Sequence, residues 1–111
     1  MKYISLFSIV LLLILLQARG FSQKTYSVSG KVTDKETGET LIGANITIKG
    51  TKIGAITNMN GVFEIKNINE TNISLRVAYL GYEPQEKIMQ LTSGKNFIRV
   101  RLQPSSEALE E

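Results

Sequence analysis

Residues 23–104 read as an all-β domain, built as a sandwich of two antiparallel sheets. Three observations predict it. From Tyr26 onward apolar residues recur with a period of two rather than 3.6. The alternating runs make about seven short strands, with turn signals roughly every 8–12 residues. No helical pattern occurs after the N-terminal segment. The chain is 111 residues long with no cysteine and no histidine, a length for one small domain rather than two.

Residues 1–22 stand apart as a secretory signal. Lys2 precedes an apolar run, Ile4–Leu16, the n- and h-regions of such a segment. The run falls short of the roughly 20 apolar residues that span a bilayer comfortably. A small-x-small cleavage site follows in two registers. Gly20-Phe21-Ser22 would leave Gln23 first and is preferred, because it removes Phe21 with the other apolar residues. Ala18-Arg19-Gly20 would leave Phe21. An uncleaved anchor is the alternative, and lipid attachment is excluded by the missing cysteine.

Setting the signal aside changes the charge argument. The chain has 13 Lys+Arg and 10 Asp+Glu; losing Lys2 and Arg19 leaves 13 − 2 = 11 basic groups, a net charge of +1. Nucleic acid or an anionic membrane calls for clustered cations, whereas these are spread singly. The closest pair, Arg99 and Arg101, shares one strand face and reads as solvated decoration. Without disulfides the domain rests on core burial. About 80 ordered residues bury roughly 60–65% of their unfolded surface, enough for one modest core.

The strands follow in order. Tyr26, Val28 and Val32 alternate with Ser27, Ser29 and Lys31, and Gly30 falls on the apolar side, where another group approaches closely. Asp34–Thr40 is a polar loop anchored at its far end by Leu41 and Ile42. Ala44, Ile46 and Ile48 face inward on the second strand, which Gly50 ends. A third strand covers about Ile53–Thr57. Asn60-Gly61 before Val62–Lys66 is a strong hairpin signal, since both residues tolerate the positive φ of a primed turn. Phe63 and Ile65 share a face. Asn67–Asn72 is a polar break. Ile73, Leu75, Val77 and Tyr79 form the inward face of the clearest strand. Gly81 interrupts it, and Pro84 marks an edge or bend, having no N–H for a central ladder. Glu86–Leu91 is a strand, Thr92–Lys95 a turn, and Phe97–Leu102 the last strand, with Ile98, Val100 and Leu102 inward. Residues 105–111 form an acidic tail.

A search for chemistry finds no reactive set. Nucleophilic serine usually needs a base, most often histidine, and there is none. Ser29 and Lys31 share a strand face, but two residues along a strand is about 7 Å, too far for a hydrogen bond. No spacing pairs two glutamates for glycoside cleavage. No Gly-rich phosphate loop opens a helix. The single aspartate, Asp34, leaves metal ligation to scattered Glu and amide oxygens. Asn58–Gly61 lacks the acidic ligands of a calcium loop and reads as a turn. The sequons at Asn45, Asn69 and Asn72 are incidental to Asn/Thr-rich strand surfaces. Tyr79-Leu80-Gly81-Tyr82 reads as a core residue, a bend and a cap over the sandwich end, with an aromatic binding surface as the alternative. No catalytic, cofactor-binding or metal-ligating residue is assigned, and no cofactor is expected.

The ordered motifs resemble a known family. Val28-Ser29-Gly30-Lys31-Val32-Thr33-Asp34 and Thr37-Gly38-Glu39-Thr40-Leu41-Ile42-Gly43-Ala44-Asn45-Ile46 are similar to the opening of the carboxypeptidase-regulatory-like domain. Lys49-Gly50-Thr51, Gly54, Thr57-Asn58-Met59-Asn60-Gly61-Val62-Phe63 and Tyr79-Leu80-Gly81-Tyr82-Glu83 continue the match, which covers about residues 26–103. Asn58 departs from the family's frequent Asp, which puts an ion or polar clamp at that turn in doubt.

The resemblance implies a transthyretin-like, seven-stranded Greek-key sandwich without catalytic residues. Placed directly after a signal peptide, it resembles the periplasmic N-terminal extension of SusC-like TonB-dependent outer-membrane receptors. The tail Ser106–Glu111 resembles the link to an energy-coupling segment. The implied role is protein contact with a receptor plug and barrel, or with TonB-type energising machinery, by loops or by edge-strand addition. No nucleic acid and no membrane span after cleavage are expected. The alternatives are a free-standing secreted glycan- or protein-binding module and an accessory domain of a metallocarboxypeptidase.

Overall fold

The computed structural model describes residues 2–18 and 24–106. An N-terminal helix, α1, spans Lys2–Ala18. Among its described side chains Phe7, Val10 and Leu12 are exposed. No helix among the described residues is long and apolar enough to cross a membrane. Residues 19–23, which hold both expected cleavage points, and the acidic tail from residue 107 lie outside the described residues.

Seven strands follow: β1 (Tyr26–Asp34), β2 (Asn45–Ile48), β3 (Gly54–Ile56), β4 (Val62–Ile68), β5 (Asn72–Ala78), β6 (Gln85–Gln90) and β7 (Phe97–Leu102). They form a three-stranded sheet, β4-β1-β7, and a four-stranded sheet, β3-β2-β5-β6. The chain changes sheet between β1 and β2, β3 and β4, β4 and β5, and β6 and β7. The expected all-β sandwich is therefore present, wound as a Greek key. One pair departs from the all-antiparallel expectation: β1 and β7 run parallel, from Ser29 opposite Phe97 to Asp34 opposite Leu102. Parallel neighbours need a crossover, and here β7 reaches β1 by crossing over from β6 in the other sheet.

The core lies between the sheets and follows the period-two phase. Val28, Val32, Ile46, Ile48, Phe63, Ile65, Ile73, Leu75, Val77, Val100 and Leu102 are all buried, and Ile98 and Tyr79 pack partly buried against them. Each fully buried aliphatic side chain contributes roughly 1.5–3 kcal/mol. Gly30 is the close approach its position suggested. A Cβ there would stand 2.5 Å from the Ile98 carbonyl oxygen and 2.6 Å from the Phe63 ring. The bare backbone thus leaves the space that the Phe63 ring fills.

Several local expectations are corrected by tertiary contacts. Asn60-Gly61 is a turn but not a hairpin, since β3 and β4 belong to different sheets. Gly61 has φ 73°, whereas Asn60 stays outside the positive-φ region. The turn is instead pinned to β1, where the Val32 N–H donates to the Gly61 carbonyl at 2.8 Å. That contact turns β4 away from β3 and lays it along β1. Asn58 makes the polar clamp its departure from Asp had put in doubt: its Oδ1 accepts from the N–H groups of Asn60 (2.9 Å) and Val62 (3.0 Å).

The break expected at 67–72 starts too early. β4 runs on to a buried Ile68 paired with Tyr26, across a register shift between Tyr26 and Val28. Asn67 at φ 60° absorbs that bulge. Only Leu41 anchors the far end of the first loop, because Ile42 is exposed. The loop is locked by Thr57, whose buried hydroxyl donates to the Leu41 carbonyl and accepts from the Ala44 N–H at 2.8 Å. β6 reverses the usual phase. Lys87 stands opposite buried Leu75 and so lies on the core-facing side, while Ile88 points out, 88% exposed.

Candidate interaction surface

Among the described residues no group of three or more His, Cys, Asp or Glu stands close enough to hold a metal ion.

One end of the sandwich is closed by a polar clasp that sequence reading missed. Asp34, placed in the first loop from sequence, is the buried last residue of β1. Its Oδ1 accepts from the N–H groups of Glu36 (2.7 Å) and Thr37 (3.0 Å), which shapes the loop. Its Oδ2 accepts from the Tyr82 hydroxyl at 2.6 Å. The Tyr82 bond, followed by the backbone N–H bonds, holds the Asp34 carboxyl below its ordinary value of 3.8. The same bond, with burial and the nearby charge, pushes the Tyr82 phenol up to about 12. A phenol held protonated this way serves as a strut rather than a nucleophile. Tyr79 and Tyr82 lie 5.5 Å apart, half-buried against the core, and Gly81 between them takes φ 88°. Leu80 alone projects, 96% exposed. The motif is thus a bend and cap.

The C-terminal segment is drawn into the clasp. Pro104 bridges to Tyr82. The Glu83 N–H donates to the Gln103 carbonyl at 2.8 Å, and the Ser105 N–H to the Gly81 carbonyl at 2.9 Å. Gln103 also donates from Nε2 to Glu36 Oε1 at 2.9 Å. The first loop, the β5–β6 connection and the chain end therefore form one unit.

The outer face of the three-stranded sheet carries the main charge feature. Lys31 on β1 stands opposite Arg99 on β7, and Thr33 opposite Arg101. With Asp34, Lys35 and Gly38 they line a cleft of about 340 Å³. The two arginines were read as solvated decoration. They are exposed as expected, and the topology brings Lys31 and Lys35 beside them. The salt bridges among the described residues are Lys49–Glu86 and Lys66–Glu64, so none involves these four cations. Two of the loop carboxylates are engaged elsewhere, Asp34 on Tyr82 and Glu36 on Gln103. Arg99 lies over the Phe97 ring, 5.6 Å from its centre.

Four strands are edges: β3, β4, β6 and β7. Three are blunted in ways proteins use against stray pairing. β3 has three residues, β4 is bulged, and β6 turns Lys87 toward the core. β7 is the exception: apart from its arginines it is covered only at its C-terminal end, where Gln85 Nε2 donates to the Arg101 carbonyl.

Known proteins with this architecture are unlike in sequence. The chain superposes on a type II cohesin–X-dockerin complex of Acetivibrio cellulolyticus with a TM-score of 0.59 and 21% identity, over 68% of this chain and 52% of that one. It superposes on the pilus 2b backbone protein of group B streptococcus with a TM-score of 0.56 and 19% identity, over 78% and 43%. These likenesses establish the fold alone. Closer in sequence is the TonB-dependent receptor SusC of Bacteroides thetaiotaomicron, 39% identical over 84 residues, which cover 73% of this chain and 8% of the receptor. The TonB-dependent receptor P3 of Formosa agariphila is 35% identical over 105 residues, covering 94% of this chain and 10% of the receptor. The chain thus spans a tenth or less of the receptors it matches. A family model for the CarboxypepD_reg-like domain matches residues 28–111, nearly every strand described above, and the chain belongs to the carboxypeptidase-regulatory-like domain family.

Proposed function

We propose that this chain is a non-catalytic interaction domain of a TonB-dependent outer-membrane nutrient receptor, exported on a cleaved signal of residues 1–22 and working in the periplasm. The carrying observation is the 39% identity with a TonB-dependent receptor over a stretch that matches this sandwich and a small share of the receptor. A match covering 94% of the chain also takes in part of the N-terminal apolar segment. That supports residues 23–104 as a mature domain behind an export signal, with 105–111 as a link onward. On this reading the sandwich acts by contact. Its partners on this reading are the receptor's plug and barrel or TonB-type energising machinery, met by loops or an edge strand.

Two observations test the reading. Fractionation of cells expressing the chain, with intact-mass determination, should return a periplasmic species beginning at Gln23. A full-length mass in the inner membrane would instead make α1 an anchor and overturn export by cleavage. The DNA beyond the codon for Glu111 should encode a plug and barrel in frame. A zinc peptidase frame there would overturn the receptor assignment.

A further inference from the structure

We propose that the open edge of β7, which carries Arg99 and Arg101 with Lys31 and Lys35 one strand behind them, accepts an acidic, extended peptide of a protein partner as an added strand. This rests on the reading of the chain as an interaction domain and names the edge and the chemistry of what it takes.

The backbone identifies the edge. In a parallel pair each residue points its N–H and C=O to the same side, and successive residues alternate. The Asn96 carbonyl accepts from the Ser29 N–H, and the Leu102 carbonyl from the Lys35 N–H, both at 2.9 Å. Even-numbered residues of β7 therefore face β1, and Phe97, Arg99 and Arg101 turn their backbone groups outward. Part of that row is already used. Gln85 donates from Nε2 to the Arg101 carbonyl, and the Glu83 N–H takes the Gln103 carbonyl. What remains open is the N–H and C=O of Phe97 and Arg99 and the N–H of Arg101, room for a short extended segment.

The side chains choose the occupant. Residues of an added strand lie beside Arg99 and Arg101 on the outer face, and opposite charges across a strand pair attract while like charges repel. Arg99 and Arg101, neither in an ion pair, favour carboxylates there, and Lys31 and Lys35 across the outer-face cleft add positive charge one strand behind. They also disfavour a second copy, which would bring its own Arg99 and Arg101 against the first. The arginines thus guard the edge against self-pairing and admit an acidic strand.

The test titrates the 111-residue chain with blocked hexapeptides of alternating glutamate and valine, or lysine and valine, followed by amide NMR. The glutamate peptide should bind, shifting and protecting the amides of Phe97, Arg99 and Arg101, and should weaken as salt rises. Arg99→Glu with Arg101→Glu should cut its affinity by about tenfold or more. Because that pair of changes can perturb the edge, the same peptide N-methylated at the residues facing β7 is run against the unaltered chain and should not bind. Equal binding of the lysine peptide, undiminished binding of the N-methylated one, protection at β6 instead of β7, or association of the chain with itself through β7 would each overturn the proposal. None of these outcomes touches the receptor reading, which stands or falls on export and on the downstream frame.

Discussion

The two sheets share one core but treat the solvent differently. On the four-stranded sheet outward cations have an acidic neighbour: Lys49 reaches Glu86, and Arg76 stands opposite the same glutamate across the β5–β6 pair. Its edges are a three-residue strand and one that turns a lysine inward. On the three-stranded sheet Lys31, Lys35, Arg99 and Arg101 are left without an acidic partner, and β7 keeps part of its backbone unpaired. A sheet that only supports its partner is balanced and blunted. The sheet that is not so finished is where a contact is to be sought.

The sharpest break in this comparison lies on β5, where inner and outer faces are adjacent in sequence. Val77→Asp buries a carboxylate at a fully buried site and is expected to abolish the folded state, since an unpaired buried charge costs several kcal/mol or more. Arg76→Asp, one residue away and exposed, should melt within a few degrees of the parent. Equal melts for the two would refute the strand phase. Next in size is Gly30→Ala on β1. The added methyl meets backbone at 2.5 Å and the Phe63 ring at 2.6 Å, so overpacking should cost about 1–3 kcal/mol. Gly94→Ala meets nothing within 4 Å and should be near neutral. Denaturant midpoints of the pair separate crowding from a general glycine effect.

The clasp joining the sheets at one end makes stability depend on pH at both extremes. Asp34 has its folded value lowered, so its contribution is complete above about pH 4 and is lost as pH falls through that lowered value. Tyr82 has its value raised from 10.0 to about 12, so its contribution is complete below pH 10 and is lost as pH rises from 10 toward 12. Tyr82→Phe should lower the neutral-pH melting temperature by a few degrees, remove this alkaline loss and shrink the acid one, read by thermal melts across the pH range. The smallest effect on stability belongs to Lys87→Thr. Removing the inward cation should leave the melt nearly unchanged but allow β6 to pair with other copies, seen as concentration-dependent association in sedimentation. A monomer at every concentration would show that Lys87 does not guard that edge.

The strand phase was legible because burial alternates along each strand, so Val28 to Val32 and Ile73 to Val77 declare their inner face locally. Gly30 was legible for the same reason, as a gap in the apolar row. Asn60-Gly61 was legible as a turn and misleading as a hairpin, because a turn signal bends the chain without naming the strand to be paired. The choice is seen only in the β1–β4 ladder, which the bond from Val32 to Gly61 extends to the turn. The Asp34–Tyr82 clasp joins residues 48 apart, and neither neighbourhood hints at the other. Likewise Arg99 and Arg101 looked like isolated decoration until the parallel register put Lys31 opposite Arg99.

Order along the chain was thus enough for the all-β class and for the inner and outer faces of most strands. These follow from side-chain polarity at a fixed period, which each segment carries within itself. Which strand lies beside which, the parallel β1–β7 pair, the clasp, the cationic face and the single open edge were settled only in the folded molecule. They depend on contacts between distant segments, and such contacts form where the two sheets bury the most apolar surface together.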